Sequence, residues 1–247
     1  MSKEEQLRLT YYPEAAFGGY SDTDGAIRFH ARVNALLTPS AVVLDIGCGR
    51  GACADDTVSF RRNLRNLRGK CKRVIGIDVD EAGRENAFLD EFRLIGGDRW
   101  PVEDETIDLC VSDYVLEHVR NPQAFFSECA RVLKPRGSIC VRTPNKYSYV
   151  ALISRCIPNA WHAWVLKTIG KKRGADDVFP TLYRCNTARK LRRMMRIYGF
   201  EPCVYAYDDE PSYLVFSRTA YALGVIAHRF IPPMCKVNLY AFGRKAA

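Results

Sequence analysis

The stretch 41–51 combines a short apolar run, the acidic side chain of Asp45 and three glycines within five residues. An apolar run without polar alternation is typical of a strand that is buried on both faces. Glycine lets the backbone turn sharply and lets a ligand approach the main chain closely. The first N–H groups of a following helix have no partner within that helix. We therefore expect a strand, a ligand-binding loop and a helix in succession.

Two classes of ligand compete for this loop. Gly47, Gly49 and Ala52 fit the loose dinucleotide pattern G-x-G-x-x-G/A. However, a dinucleotide brings a pyrophosphate to this turn, and the carboxylate of Asp45 would repel it. The acid favours instead a ligand that carries a positive amino group.

Two further acids follow the next two apolar runs. Asp78 ends the run 73–78, and Asp98 follows the run 94–97, where we expect a third strand to end. A carboxylate at Asp78 can accept hydrogen bonds from both hydroxyls of a ribose, and Asp98 can accept one from the amino group of an adenine. One acid at each of three strand ends suits a nucleoside that carries an amino acid and no phosphate. S-adenosylmethionine fits that description.

The same motifs resemble, in order, those of class I S-adenosylmethionine-dependent methyltransferases, and the type-11 group is the most similar. The resemblance rests on four segments within about 36–144, which are 43–51, 76–78, 97–98 and 108–119. It implies S-adenosylmethionine as the cofactor. The cofactor-binding residues that we predict on this basis are Asp45, Gly47, Cys48, Gly49, Asp78, Val79, Asp98, Arg99, Asp113 and Tyr114.

Alternating strands and helices with short loops predict one α/β domain over 1–247. We expect a Rossmann-like, doubly wound and mostly parallel seven-stranded sheet, with an antiparallel last strand and a helical insertion after the fifth strand. Ligands bind beyond the carboxyl ends of such strands. The predicted helices are 26–38, 52–68, 81–92, 122–134 and 187–198, and the later predicted strands are 106–113, 138–143, 201–207 and 237–242.

Three segments fall outside the alternating pattern. We expect residues 1–38 to form an arm and a helix over the site. The insertion 145–186 carries tryptophans at helical spacing and many cations, so it is either a lid or an amphipathic element on an anionic membrane. The lid is favoured because tryptophans at helical spacing usually belong to a core. The apolar stretch 211–232 is expected to line a hydrophobic pocket together with the insertion.

The composition bounds the class of protein. The chain has 247 residues and a net charge of +9, and the segment 145–196 alone carries +10. The sequence contains no run of 18 or more apolar residues, so it predicts no membrane-spanning helix. The amino terminus lacks a signal-peptide core, and the ten cysteines show no metal-binding spacing. We expect a cytoplasmic protein without a metal; peripheral contact with the inner face of a membrane is the alternative.

The sequence contains fewer motifs that indicate which residues contact the methyl acceptor. His118 follows the fourth strand and is the candidate base, because imidazole titrates near neutrality; the alternative is a histidine that is hydrogen-bonded to the backbone at a helix start. The other predicted substrate contacts are Tyr20, His30, Asn145 and Trp161, and for the first two the alternative is packing of a surface arm. The segment Ser112-Asp113-Tyr114-Val115 lacks the Asn/Asp-Pro-Pro-Tyr/Phe motif of amino-group methyltransferases.

Four functions remain in order of preference. The first is methylation of a hydroxyl or carbon on a small, hydrophobic, lipid- or glycan-linked acceptor. The second is RNA methylation through the basic segment 145–196, with DNA not expected as a partner. The third is a non-catalytic protein that binds the cofactor and a partner, and the fourth is a dinucleotide dehydrogenase.

Overall fold

The computed structural model describes residues 3–156 and 180–247 of the chain. The α-helices are α1 Lys3–Tyr11, α2 Gly25–Ala35, α3 Ser59–Arg65, α4 Pro122–Val132, α5 Tyr149–Cys156, α6 Ala188–Ile197 and α7 Arg218–His228. The strands are β1 Val42–Ile46, β2 Arg73–Asp78, β3 Glu91–Leu94, β4 Ile107–Asp113, β5 Leu133–Pro144, β6 Phe200–Tyr207 and β7 Asn238–Lys245. Short 3-10 helices lie between them.

The strands form one seven-stranded sheet in the order β3-β2-β1-β4-β5-β7-β6. Strand β7 runs antiparallel to both of its neighbours, and the other pairings are parallel. The predicted Rossmann-like sheet with an antiparallel last strand is therefore confirmed. The strand order reverses between β1 and β4, which is where open α/β sheets bind ligands.

Helices cover both faces of the sheet because strands buried on two sides need two apolar layers. Phe29 and Val33 of α2 are fully buried against one face. On the other face, Phe125 and Phe126 of α4 pack edge to face, with ring centroids 5.3 Å apart. Asn121 starts α4 by accepting a hydrogen bond from the Ala124 N–H at 3.2 Å, a normal helix cap.

Two predicted helices are shorter than the sequence pattern indicates. The segment 52–68 contains a 3-10 turn at 52–55 and then α3. The segment 81–92 is a 3-10 helix at Glu81–Glu85 that leads into β3. The ring of Phe92 in β3 packs on Gly83, where a Cβ atom would lie 2.1 Å from the ring. The end of the segment is a strand because it pairs in parallel with β2, and its Phe92 packs on the 3-10 helix.

The segments outside the sheet are described in part. An unpredicted helix, α1, packs on α7, with the rings of Tyr11 and Tyr221 5.6 Å apart. Of the insertion 145–186, residues 145–156, which include α5, and residues 180–186 are described, and Trp161 lies outside the described residues. None of the described helices has the length and apolar character that crossing a bilayer requires.

Candidate functional site

The loop after β1 is held in a conformation that only glycine adopts without strain at two key positions. Gly47 has a φ of +68°, and a Cβ atom there would lie 2.4 Å from the side chain of Val115. Gly49 has a φ of +52°, and no atom of the described residues lies within 4 Å of a Cβ position there. The loop therefore exposes backbone to a free volume at the end of β1.

Side chains from β2 and the segment after it fix the loop. The Gly49 N–H donates to Asp78 Oδ2 at 2.8 Å, and the Asp80 N–H donates to Asp78 Oδ1 at 3.0 Å. Asn86, which is buried, donates from Nδ2 to the carbonyls of Cys48 and Gly49 at 2.9 and 3.2 Å. The predicted acid at the end of β2 thus also organises the glycine loop.

Three predicted acids lie on one face of the sheet. Asp45 pairs in register with Gly76 and Val111, so Asp78 and Asp113, two residues further along each neighbouring strand, point to the same side. Burial, with Asp113 and Asp78 nearby, raises the pKa of Asp45 to about 7. Because its neighbours are also negative, the ionised form of Asp45 is favoured when a cation binds beside it.

Asp113 is paired with a buried arginine. Arg142 donates to it in a bidentate geometry, with Nε–Oδ1 and Nη2–Oδ2 distances of 2.6 Å. His30 Nε2 lies 3.2 Å from Asp113 Oδ2, and Arg65 lies 3.8 Å from the same oxygen. Burial alone would raise the pKa of Asp113, but Arg142 and His30 outweigh it and hold that pKa well below its usual range. Asp113 is therefore an anion at neutral pH.

Tyr114 extends this network to a third strand, β7. The Arg142 guanidinium lies 4.6 Å from the Tyr114 ring centroid. The Tyr114 hydroxyl donates to Asn238 Oδ1 at 2.9 Å, and Asn238 Nδ2 donates to Asp209 Oδ2 at 2.8 Å. Burial, with Asp24 and Asp208 nearby, raises the pKa of Asp209 to about 7 against the opposing effect of Arg142.

Tyr114 also forms part of the wall of a cavity of about 120 Å³ beyond the ends of β4 and β5. Its polar lining consists of Tyr114, Tyr149, Tyr183, Tyr213, Asp209, Glu210, Ser148, Ser212 and Asn238. Tyr114 and Tyr183 have φ values of +57° and +51°, which bulky residues rarely adopt. Strained backbone at a cavity wall is typical of a functional site.

The N-terminal segment reaches this cavity. Ser21 Oγ donates to Glu210 Oε1 at 2.5 Å, and Arg28 lies 5.7 Å from the centroid of Tyr207. Asp24 caps α2 and is also paired with Arg61 of α3 at 2.6 Å. The arm thus contacts the cavity wall on one side and α3 on the other.

The predicted adenine-side residues lie on a loop beyond β3. The strand ends at Leu94, so Asp98 follows it by four residues and is exposed. Arg99 is exposed as well and is paired with Asp104 at 2.8 Å. Val79, directly after Asp78, is 63% exposed. An exposed apolar side chain next to the proposed ribose position fits one face of a base.

The predicted acceptor-side residues do not gather around the cavity. His118 Nδ1 lies 3.1 Å from the Pro180 carbonyl, which matches the backbone-bonded alternative. Asn145 donates from Nδ2 to the carbonyls of Met234 and Lys236 at 2.8 Å. The Tyr20 ring stacks on Phe60 at 5.3 Å. His30 contacts Asp113 instead, and its Nδ1 is buried and meets no hydrogen-bond partner in the part of the chain described.

The sequence reading missed several residues of the site. Arg142 interrupts the apolar run 138–143, and a charge in a buried strand is a signal that a partner carboxylate lies nearby. Asp209 and Glu210 follow β6 and so also lie at a strand end. Tyr149 and Tyr213 belong to helical segments whose packing no local pattern reveals.

The arrangement suits a cationic nucleoside. The glycine loop offers free volume, and Val79 supplies an apolar surface. The face formed by Asp45, Asp78 and Asp113, called the acid face below, is negatively charged. The residues present therefore fit S-adenosylmethionine. Within residues 3–156 and 180–247, no group of three or more His, Cys, Asp or Glu side chains is placed to hold a metal.

Among known families, the model described as Methyltransferase domain matches residues 44–141 of this chain. A probable S-adenosylmethionine-dependent methyltransferase of Mycolicibacterium smegmatis is 35% identical over 111 residues, which are 43% of this chain and 39% of that protein. A ubiquinone biosynthesis O-methyltransferase of Rhizobium rhizogenes is 29% identical over 135 residues, 52% of this chain and 54% of that protein. The matched part thus spans about half the length of these relatives or less.

Among solved structures, geranyl diphosphate C-methyltransferase of Streptomyces coelicolor A3(2) superposes with a TM-score of 0.52 at 16% identity. The superposition covers 88% of this chain and 74% of that one. At this identity the similarity concerns the fold.

Proposed function

Because the chain contains a domain of the class I S-adenosylmethionine-dependent methyltransferase family, we propose that it transfers a methyl group to a hydroxyl or carbon of a small acceptor. We further propose that this acceptor is hydrophobic and lipid- or glycan-linked. The observation that carries the transferase assignment is the shared acid face of Asp45, Asp78 and Asp113 beside the glycine loop. This acid face lies at the carboxyl ends of neighbouring strands, where the strand order reverses.

Each part of the cofactor is assigned to a different residue. Asp45 attracts the positive charge of the cofactor, because Asp113 is already paired with Arg142. Asp78 accepts from the ribose hydroxyls, Asp98 from the adenine amino group, and Val79 packs on the base. The cofactor supplies a methyl group on a sulfonium, which is already a good leaving group. The protein then mainly aligns the two reactants, which is worth on the order of 7–11 kcal/mol.

The cavity behind Tyr114 is the proposed acceptor site. It adjoins the acid face, because Tyr114 contacts Arg142 and Arg142 holds Asp113. Tyrosine rings supply apolar walls with hydroxyls at their tips. At about 120 Å³ the cavity admits only the reacting end of an acceptor, which agrees with a molecule whose apolar remainder stays outside.

Methylation of a hydroxyl requires a proton acceptor. Asp209 lines the cavity and has a pKa raised to about 7, so its carboxylate form can take a proton near neutral pH. His118, the candidate from the sequence, does not line the cavity, and its Nδ1 lies 3.1 Å from the Pro180 carbonyl. We therefore propose Asp209 as the base and keep His118 as the competing candidate.

The two candidates are separated by matched variants. Asp209→Asn preserves shape and should lower kcat by roughly 10²–10⁴-fold, because the hydroxyl proton then has no acceptor. His118→Gln should leave kcat within about threefold. The measurement is methyl transfer under saturating cofactor across pH 6–9. A large loss in His118→Gln with an unaffected Asp209→Asn would reverse the assignment.

The cofactor assignment is tested by calorimetry. Asp78→Ala should abolish binding of S-adenosylmethionine, because it removes the ribose acceptor and a support of the loop. Asp90→Ala is the control, since Asp90 also accepts a backbone hydrogen bond, from the Val74 N–H at 2.8 Å, but at the opposite end of β2. Its affinity should be unchanged. Full affinity in Asp78→Ala, or binding of NAD in place of S-adenosylmethionine, contradicts the proposal.

An unbiased labelling experiment tests the class of acceptor. The protein is incubated with methyl-labelled S-adenosylmethionine and a fractionated cell extract, and label is followed into lipid, RNA, protein and soluble fractions. We expect label in the lipid or glycolipid fraction. The O-methyltransferase activity named for the Rhizobium relative supports a hydroxyl acceptor. Absence of transfer to any fraction, with cofactor binding intact, would favour the non-catalytic alternative.

A second candidate is RNA methylation, and the exposed face of α6 favours it. Arg189, Arg192, Arg193 and Arg196 line an open groove on that helix. Such a row attracts a phosphate backbone, and binding would then weaken steeply with salt. Label in the RNA fraction, together with a salt-sensitive affinity for RNA, would put this candidate first.

A further inference from the structure

Helix α7 turns apolar side chains towards solvent. Leu223, Ile226 and Phe230 are 61%, 54% and 78% exposed. Their spacing of three and four residues places them in one stripe along the helix and just beyond its end. Met234, after the helix, is 67% exposed. A surface helix normally directs such a stripe inward, so this face is the reverse of the usual arrangement.

The inner face of α7 is fixed by close packing, so the stripe cannot turn inward. Tyr221 and Gly224 are buried. A Cβ atom at Gly224 would lie 2.6 Å from Leu214 and 3.0 Å from Pro211, so the helix backbone approaches the 3-10 helix Ser212–Leu214 closely. The apolar stripe is therefore the outer face of a helix that is held in place.

The segment that carries the stripe has charges of one sign. Residues 211–247 contain five Lys or Arg and no Asp or Glu. Two of the cations, Arg218 and Arg229, are exposed on α7 itself, and on a helical wheel they border the stripe on one side. A protein surface with an apolar centre and a cationic margin complements lipid headgroups that are negatively charged.

We propose that the outer face of α7, defined by Leu223, Ile226, Phe230 and Met234, docks on an anionic lipid surface. The apolar side chains enter the boundary between headgroups and acyl chains while the arginines remain among the phosphates. A lipid surface fits better than a protein groove because the stripe lies on the outside of a helix and the segment that carries it, 211–247, bears cations and no acids.

Docking in this way positions the cavity. Ser212 and Tyr213 line the cavity and belong to the 3-10 helix on which α7 packs. A membrane in contact with α7 therefore lies next to that wall, where a lipid-linked acceptor could enter without crossing water. This consequence rests on the proposed function, whereas the docking itself does not.

The test is co-sedimentation with vesicles of phosphatidylcholine alone or with phosphatidylglycerol added. We expect the protein to bind the mixed vesicles and to lose binding as salt is raised. The variant that combines Leu223→Ser, Ile226→Ser and Phe230→Ser should bind at least about tenfold more weakly, because three apolar side chains no longer leave water. Ile197→Ser is the matched control, since Ile197 is 59% exposed on α6, and its binding should be unchanged.

The proposal is overturned if the wild-type protein does not bind mixed vesicles, if the triple serine variant binds them fully, or if Ile197→Ser loses binding. It is also overturned if the wild-type protein is a dimer in solution and the triple serine variant is a monomer. Loss of binding on changing Arg189, Arg193 and Arg196 to Gln, with the serine variant unaffected, would overturn it too, because the contact would then lie on α6. Thermal melting and calorimetry with S-adenosylmethionine on each variant separate this result from a failure of the fold or of the proposed function.

Discussion

At the scale of single residues, the site depends on carboxyl groups whose surroundings differ. Asp113 has a bidentate arginine partner and stays ionised. Asp45 shares its face with two other acids, and its pKa is raised to about 7. The first group is neutralised by the protein itself, so the second is the one that a cationic ligand stabilises.

The titration of Asp45 predicts how cofactor binding depends on pH. With a pKa of about 7 in the free protein, this carboxyl is about one tenth ionised at pH 6 and about nine tenths at pH 8. Since a cation binds the ionised form, affinity for S-adenosylmethionine should rise about tenfold between these values. Calorimetry across this range measures it, and binding should release a proton near pH 6.

Two variants check the origin of that slope. Asp45→Asn should bind more weakly and lose the pH dependence. Asp98→Asn removes an exposed carboxyl on the far loop, so it should weaken binding but keep the slope. An unchanged slope in Asp45→Asn would show that another group controls affinity.

At the scale of elements, the glycine loop is positioned by its neighbours more than by its own sequence. Asp78 and Asn86, from two different segments, hold its N–H and carbonyl groups. Val115 packs so closely on Gly47 that a side chain cannot be added there. The free volume in front of Gly49 is what remains for the ligand.

Gly49→Ala and Gly69→Ala form a matched pair for this loop. Both glycines have a positive φ, +52° and +79°, and at neither would a Cβ atom come within 4 Å of another residue among those the structure describes. Each variant should lose about 1–2 kcal/mol of unfolding free energy from backbone strain. Only Gly49→Ala should also lose affinity for S-adenosylmethionine, by at least about tenfold, because the new methyl group enters the ligand volume.

Urea unfolding and calorimetry on both proteins provide the comparison. Equal affinities in the two variants would mean that the ligand does not approach the backbone at Gly49.

At the scale of the whole molecule, one buried ion pair joins β4 to β5 and links the acid face to the cavity. The Arg142 side chain is 3% exposed and that of Asp113 is 18% exposed. Arg142 also lies 4.6 Å from the ring of Tyr114 and 5.5 Å from that of Phe29 in α2. A change at this one position therefore disturbs the sheet, a covering helix and the cavity wall together.

Arg142→Leu should lower the unfolding free energy by about 3–5 kcal/mol at pH 7, because it leaves the Asp113 charge buried without its partner. The loss should shrink as the pH falls below about 4, where Asp113 becomes protonated in the unfolded chain and, in the variant, in the folded one too. The double variant with Asp113→Asn should recover much of the stability. Urea unfolding of all four proteins gives the coupling energy, and additive losses would contradict a direct pair.

Local sequence determined the sheet and the acid face. Apolar runs that end in Asp45, Asp78 and Asp113 specify strands with acids at their carboxyl ends, because a parallel sheet collects those ends at one edge. The glycine pattern after β1 then distinguishes the ligand class. These features depend on periodicity and on residues close in sequence, so they can be read without coordinates.

Tertiary structure alone decided the acceptor side. Asn145 and His118 have polar atoms that distant backbone carbonyls occupy, while Asp209 and Tyr213 come to the cavity from segments nearly a hundred residues beyond β4. The outward face of α7 was also hidden, since its apolar stretch reads as core until packing at Gly224 fixes which side is buried. Such choices depend on contacts between elements far apart in the chain, and no local pattern encodes them.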